Sequence, residues 1–444
     1  MIKKRSFRLA DELLLFLLFL LPMMLVLGAA ERTAQAPTLL FWLLILLPLV
    51  ILPLLWRAAD AEETAQGPRV AARRVEPEIA LAEEFAAVTA PVVDVRRAFV
   101  EAGVPIVEGR LRQEPSQALA RLEILLAPSR LTPLIEEAGD QTVRIIGLPM
   151  TVDAQLRRRS SFAVNLVLFL ATVVTTVWAG ALHQGVNLLN EPSQVVVGIP
   201  YSAALLGILG VHEMGHYVAG RWHGVDVTLP YFIPVPMGLG TLGAFIQIKS
   251  LIRSRRAVFD IGIAGPLAGL VVAIPALYFG LQDTPAVSGD STMGLQAGSS
   301  LLLALIYQLA NGGDLGGAVI RLSPVAYAGW IGLFITALNL MPVGQLDGGH
   351  IAYGLFGRRR ARQIGIAAFV AMLALGLFVW PGLLTWALLI ALIAGFSHMP
   401  ALDDVTPPDG KRFVLGAVAF AVLVLTLLPV PAAARGMMLD CPYL

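Results

Sequence analysis

The chain is short of charge and has almost no cysteine, and each shortage removes a class of protein. Only 14% of its 444 residues are charged and 57% are hydrophobic, whereas soluble domains carry about 25% charged residues. With a mean hydropathy of +0.75, the sequence describes an integral membrane protein. One cysteine, Cys441, stands near the C-terminus, which excludes a disulfide framework and any cysteine-built metal centre. The net charge is +1 and no basic stretch is interleaved with aromatics, so nucleic acid is not an expected partner. Internal repeats and a phosphate-cradling glycine loop are also missing.

Long apolar runs take their place. About 20 apolar residues cross the hydrocarbon core as a helix, and the candidates are 12–29, 38–56, 161–182, 196–220, 257–281, 325–342, 364–380, 382–397 and 412–430. The basic start and first run resemble a signal peptide, but "TLLFWLLILLPLVILPLLW" follows closely, so both runs are expected to stay as a membrane hairpin. Pro381 between 364–380 and 382–397 implies a tight hairpin there, and "SSLLLALIYQLA" (299–310) is an interfacial or re-entrant helix, too short to span. Positive loops stay cytoplasmic. Nine crossings from a cytoplasmic N-terminus leave only Arg32, Arg321 and Arg435, of 32 Lys and Arg, on the opposite face with the C-terminus. That arrangement makes 357–363, with "GRRRAR", a cytoplasmic connection.

Residues 57–160 differ in kind, being rich in Arg and Glu, with a helical pattern at "SQALARLEILLA" and a strand at "TVRIIGL". The expected fold is therefore mainly α and polytopic, with about nine transmembrane helices and a small α+β cytoplasmic domain. Its parts are an N-terminal transmembrane hairpin (1–56), a linker and small domain (57–160), an intramembrane core (161–400), and a C-terminal helix and tail (401–444).

One apolar run is interrupted by chemistry. "LLGILGVHEMGHYVAGRW" (205–222) places His212, Glu213 and His216 at bilayer depth, where an ionisable group costs a few kcal/mol and is seldom kept without a function. Residues four apart share a helical face, so both imidazoles can aim at one metal. Glu213, about 100° round the helix, can reach a water on that metal without ligating it. Zinc takes such ligands, keeps one position for water and lowers its pKa to about 7, and the glutamate collects the proton. A bare HExxH in a soluble chain would weigh little; the membrane setting changes that. A third ligand must come from another span at matching depth. "TALNLMPVGQLDGGH" (336–350) qualifies: it supplies Asn339, breaks at Pro342 and Gly344, and offers Asp347, with His350 as the rival. An Asp-Gly pair alone reads as a turn. His183, His223 and His398 lie at span ends and read as ordinary interfacial residues, and "AGPLAG" (264–269) reads as close helix packing only.

"VHEMGH" together with "NLMPVGQLDGG" resembles the site-2 protease (M50-like) family of intramembrane zinc metalloproteases, with HExxH on one span and Asn-x-x-Pro-x-x-x-x-Asp-Gly on a later one. "GTLGAFIQIKS", "AGPLAG", "HMPALDDVTPP" and "EGRLRQEPSQALARLEILL" are similar to the chloroplast-type branch, the gravitropism-deficient/yellow-green (EGY) proteins, and their bacterial relatives. The resemblance covers roughly residues 100–405. It implies one Zn²⁺ held by His212, His216 and Asp347, Glu213 as general base, and Asn339 near the substrate or oxyanion. It also implies a transmembrane protein substrate, a regulatory partner at the cytoplasmic domain, and residence in a bacterial inner (plasma) membrane. His350 departs from the arginine expected in that branch, and no PDZ-like insertion is evident. Between the motifs, "VDVTLPYFIPVPMGLGTLGAFIQIKS" (225–250) is β-prone and broken by Pro and Gly, so a hairpin whose edge pairs with an extended substrate is expected. The rival functions are a catalytically silent membrane scaffold and a metal transporter.

Overall fold

The computed structural model describes residues 75–427, apart from 140–141, 150–160, 237, parts of 283–299, 312–318, 321 and most of 379–399. Residues Pro77–Leu444 form one compact unit; the unit before it, Met1–Glu76, lies almost wholly outside the described residues, as do the two N-terminal runs and most of 382–397.

The described chain opens with a sheet layer. Helix α1 (Val75–Thr89) precedes the strand pair β1 (Val93–Glu101) and β2 (Val104–Leu111). Helix α2 (Pro115–Leu126), started by Pro115 in its first turn, leads to β3 (Leu131–Gly139) and β4 (Thr142–Pro149). The sheet is antiparallel in the order β1-β2-β4-β3, so β3 lies at an edge. Leu119, Leu122 and Leu126 recur at helical spacing and pack on Leu134, Ile135 and Ile145. The helix expected at "SQALARLEILLA" and the strand at "TVRIIGL" are α2 and β4.

Helices make up most of the rest. They are α3 (Phe162–His183), α4 (Ile199–Trp222, after a 3-10 turn at Pro192–Gly198), α5 (Arg255–Gln282) and α6 (Leu301–Asn311). Then follow α7 (Pro324–Asn339), α8 (Asp347–Phe378) and α9 (Gly410–Leu427). Among the described residues five helices are long and apolar enough to cross a bilayer: α3, α4 with its 3-10 turn, α5, α8 and α9. They carry large apolar side chains on their outsides, such as Val174, Val218, Val271, Val370 and Val414, as lipid-facing surfaces do. The chain is thus a mainly helical membrane protein with a small sheet region. Helix α5, with Pro266 and Pro275 inside it, packs against α4, α7 and α8. Helix α7, begun by Ser323 capping the Ala326 N–H and by Pro324, has only 16 residues. Helix α6 is packed in the bundle against α5 and α9, with Leu303, Ile306 and Tyr307 buried.

Two details add to the expectations. The "GRRRAR" connection is helical: α8 runs from Asp347 onward and is interrupted at one residue, Gly357, with φ 76°. Arginines are good helix formers, so their side of the membrane says nothing about their backbone. Helix α7 stops at Asn339, because Pro342 cannot continue it.

The segment after α4 forms the expected hairpin, β5 (Tyr231–Pro234) paired with β6 (Thr241–Phe245). Backbone at membrane depth must find partners inside the protein, and α3 and α4 provide them. At its base, Asn165 Nδ2 donates to the carbonyls of Leu229 and Pro230 at 3.0 and 2.9 Å. At its tip, three successive carbonyls are each held by a helix side chain. His183 Nε2 bonds Gly238 O at 3.1 Å, the Tyr201 hydroxyl donates to Leu239 O at 3.0 Å, and Thr175 Oγ1 donates to Gly240 O at 2.7 Å. Gly240 sits at φ +80°, and a Cβ there would lie 2.6 Å from Thr176 Cα. Thr175→Val removes one bond and is expected to lower stability by about 1 kcal/mol. Gly240→Ala adds backbone strain and a clash and is expected to lower it clearly more, as read by unfolding midpoints in detergent.

Candidate metal centre

His212, Glu213 and His216 lie on α4 and are buried, at 3%, 5% and 6% exposure. Asp347 reaches them from the first residue of α8. The turn between α7 and α8 aims it there: Gly344 takes φ 50°, Val343 N–H bonds Met341 O at 2.7 Å, and Leu346 N–H bonds Val343 O at 3.2 Å. Gly348 allows the start of α8 to lie on this turn, since a Cβ on it would come 1.9 Å from Leu340 O. The Asp-Gly pair therefore opens a helix and does not form a turn.

Three donor atoms converge. His212 Nε2 lies 3.2 Å from Asp347 Oδ2 and 3.2 Å from His216 Nε2, and His216 Nε2 lies 3.3 Å from Asp347 Oδ2. Metal–ligand bonds of about 2.0–2.1 Å at tetrahedral angles put neighbouring ligands about 3.3–3.4 Å apart. The triangle thus matches one face of a tetrahedron around a single ion, with a fourth position left open. His216 is oriented for this: its Nδ1–H donates to Ile261 O of α5 at 2.7 Å, leaving Nε2 for the metal. Among the described residues these three are the group that could hold a metal ion. His350 stays outside it, its Nδ1 bonded to Leu346 O at 2.9 Å.

The other expected residues lie close by. Asn339, the last residue of α7, places Nδ2 3.5 Å from His212 Nε2. The Glu213 carboxylate lies near the backbone N–H of Ile246, in the segment that follows β6. Gln247 pairs across the hairpin, its carbonyl accepting from Thr228 N–H at 3.0 Å. Amides alternate in direction along an extended strand, so the Ile246 amide points away from that partner. The outer side of the segment that follows β6 therefore faces Glu213. His183 holds the hairpin tip, and His223 Nε2 meets Asp260 Oδ2 at 2.9 Å, which Arg412 also binds; His398 is outside the described residues.

The "AGPLAG" segment does more than the packing expected of it. A Cβ on Gly265 would lie 2.0 Å from His216 Nε2, and one on Gly269 3.0 Å from His212 Nδ1. These two glycines are the wall against which the imidazoles lie. Gly215 of α4 completes the approach, since its Cβ would meet Ala264 O at 2.5 Å. Spacing of small residues signalled close approach, but not that the approaching groups were the histidine rings.

Residues 200–379 match the profile of peptidase family M50. The chain is 33% identical over 293 residues to "Probable zinc metalloprotease EGY1, chloroplastic" of Arabidopsis thaliana, covering 61% of this chain and 53% of that protein. It is 30% identical over 330 residues to the rice (Oryza sativa subsp. japonica) protein of the same name, covering 67% and 57%. To "Probable zinc metallopeptidase EGY3, chloroplastic" of Arabidopsis thaliana it is 29% identical over 367 residues, covering 76% and 62%. The chain spans a little over half the length of these curated relatives, and no solved structure matches it. Gly265→Ala, which drives a methyl group into the His216 ring, is expected to lower divalent-metal content at least ~10-fold, measured by elemental analysis of purified protein.

Proposed function

Because the chain belongs to peptidase family M50, in its EGY-type branch, we propose that it is an intramembrane zinc metalloendopeptidase that cleaves transmembrane proteins. The observation that carries this reading is the near-equilateral triangle of His212 Nε2, His216 Nε2 and Asp347 Oδ2, with a fourth buried ionisable group, Glu213, beside it. These three residues would hold one Zn²⁺. Bound there, zinc supplies Lewis-acid chemistry, polarising the scissile carbonyl and acidifying a water.

The chain's own groups do the rest. Glu213, beside the triangle and near the Ile246 N–H, takes the proton of the attacking water and returns it to the departing amine. Asn339 Nδ2 donates toward the carbonyl oxygen as negative charge gathers there. A substrate helix hides its scissile carbonyl in its own hydrogen bonds, so it must be extended before attack. The free edge of β6 offers a template, and a strand added along it lies beside Glu213.

The wider arrangement extends the same reading. Nine crossings, a cytoplasmic N-terminus and an external C-terminus follow from the Lys and Arg distribution. The 57–160 segment is then a cytoplasmic domain open to a regulatory partner, and the bilayer is a bacterial inner membrane.

In proteoliposomes containing a labelled single-span substrate, Glu213→Gln is expected to retain zinc and to cleave about 10²–10⁴-fold more slowly. Metal flux without cleavage by the wild type would replace the protease with a transporter. Ala244→Pro removes one amide of β6; cleavage is expected to vanish with zinc content unchanged. Full cleavage by that variant refutes strand addition.

A further inference from the structure

The first half of α8, Asp347–Phe356, is held from its far end. Tyr353 is fully buried there. Its hydroxyl donates to Asp404 Oδ1 at 2.6 Å and accepts from the Ala401 N–H at 2.8 Å. Burial pushes the Asp404 carboxyl up to about 6 against the pull of that hydroxyl and of Arg255, so at neutral pH it is an anion and the acceptor. Arg255, also buried, donates to the carbonyls of Gly354 and Leu355 at 3.2 and 2.9 Å. Those carbonyls need it, because the helix breaks at Gly357.

The segment that reaches Tyr353 is itself fixed by the sheet. Ile135 of β3 donates to Leu402 O at 2.8 Å and accepts from Asp404 N–H at 3.0 Å. On its other side, Leu402 and Asp403 N–H groups donate to Ile252 and Arg253 carbonyls, each at 2.9 Å. Successive residues of an extended chain point to opposite faces. Accordingly Leu402 is part of the sheet's apolar core, while Ala401 packs with Tyr353, Ala352 and Val258. Asp403 locks the end, accepting from the N–H groups of Val405 and Thr406 and from the Thr406 hydroxyl.

We propose that residues 401–404 are a brace through which the four-stranded sheet sets the position of Asp347, with Tyr353 and Asp404 as positioning residues. The inference rests on Asp347 being a zinc ligand. Six residues of helix, about 9 Å, separate it from Tyr353, and so short a helix moves as a rod. A ligand oxygen tolerates about 0.2 Å of displacement. Slippage of the rod is felt at the ion while His212 and His216, on α4, stay in place.

The test uses the full-length protein in detergent. Zinc dissociation constants come from competition with a chelator of known affinity, beside unfolding midpoints of the zinc-free protein. Tyr353→Phe and Asp404→Ala are each expected to weaken zinc binding about 10-fold, at the low end for outer partners of metal ligands, with cleavage restored by excess zinc. Asp404→Asn keeps a carbonyl oxygen for the hydroxyl and is expected to stay within about threefold of wild type. Unchanged zinc affinity in both Tyr353→Phe and Asp404→Ala overturns the brace, as does an Asn variant as weak as the Ala variant. Should Tyr353→Phe not fold, the Ala and Asn pair decides by the same comparison. Since affinity is the readout, a wild type that binds zinc but cleaves nothing overturns the protease reading without touching this result.

Discussion

Two imidazole nitrogens and a carboxylate oxygen are held about 3.2–3.3 Å apart among packed helices. Without a metal ion, protons shared between these atoms must hold them together; with one, the same three atoms form a coordination face. Much of the surrounding helix packing follows from keeping these atoms together. Helix α4 brings two of them at a four-residue interval, and α8 brings the third. Helix α5 lies close against α4 and supplies the Ile261 carbonyl that orients His216. Glycines at 215, 265 and 269 are what that closeness requires.

The second constraint is backbone satisfaction. A β-hairpin in a helical membrane protein leaves amides and carbonyls in need of partners. Asn165, Thr175, His183 and Tyr201 meet that need on the side facing α3 and α4. The amide of Ile246 lies near Glu213.

Much of this was legible in the sequence because it rests on short intervals. His212 and His216 are four apart, α2 shows its leucines at helical spacing, and Pro and Gly outlined the hairpin. Asp347 was found by depth and polarity, although its Asp-Gly pair suggested a turn where a helix begins. What escaped depends on distant partners. Tyr353 and Asp404 are 51 residues apart, and a lone tyrosine in an apolar helix reads as core. The arginines after Gly357 marked a side of the membrane but not a conformation, and a helix broken at one glycine has no periodic signature. Gly265 and Gly269 were visible as small residues; what they admit was not.

The break at Gly357 divides α8 into portions with different obligations. The part before it ends on Arg255 and Tyr353 and belongs to the protein interior. The part after it exposes Ile366, Val370, Leu375 and Leu377 outward. Helices adjust to bilayers of unequal thickness mainly by tilting. Here the change of direction is confined to one left-handed residue, so an adjustment of tilt in the outward portion need not bend the short helix that carries Asp347.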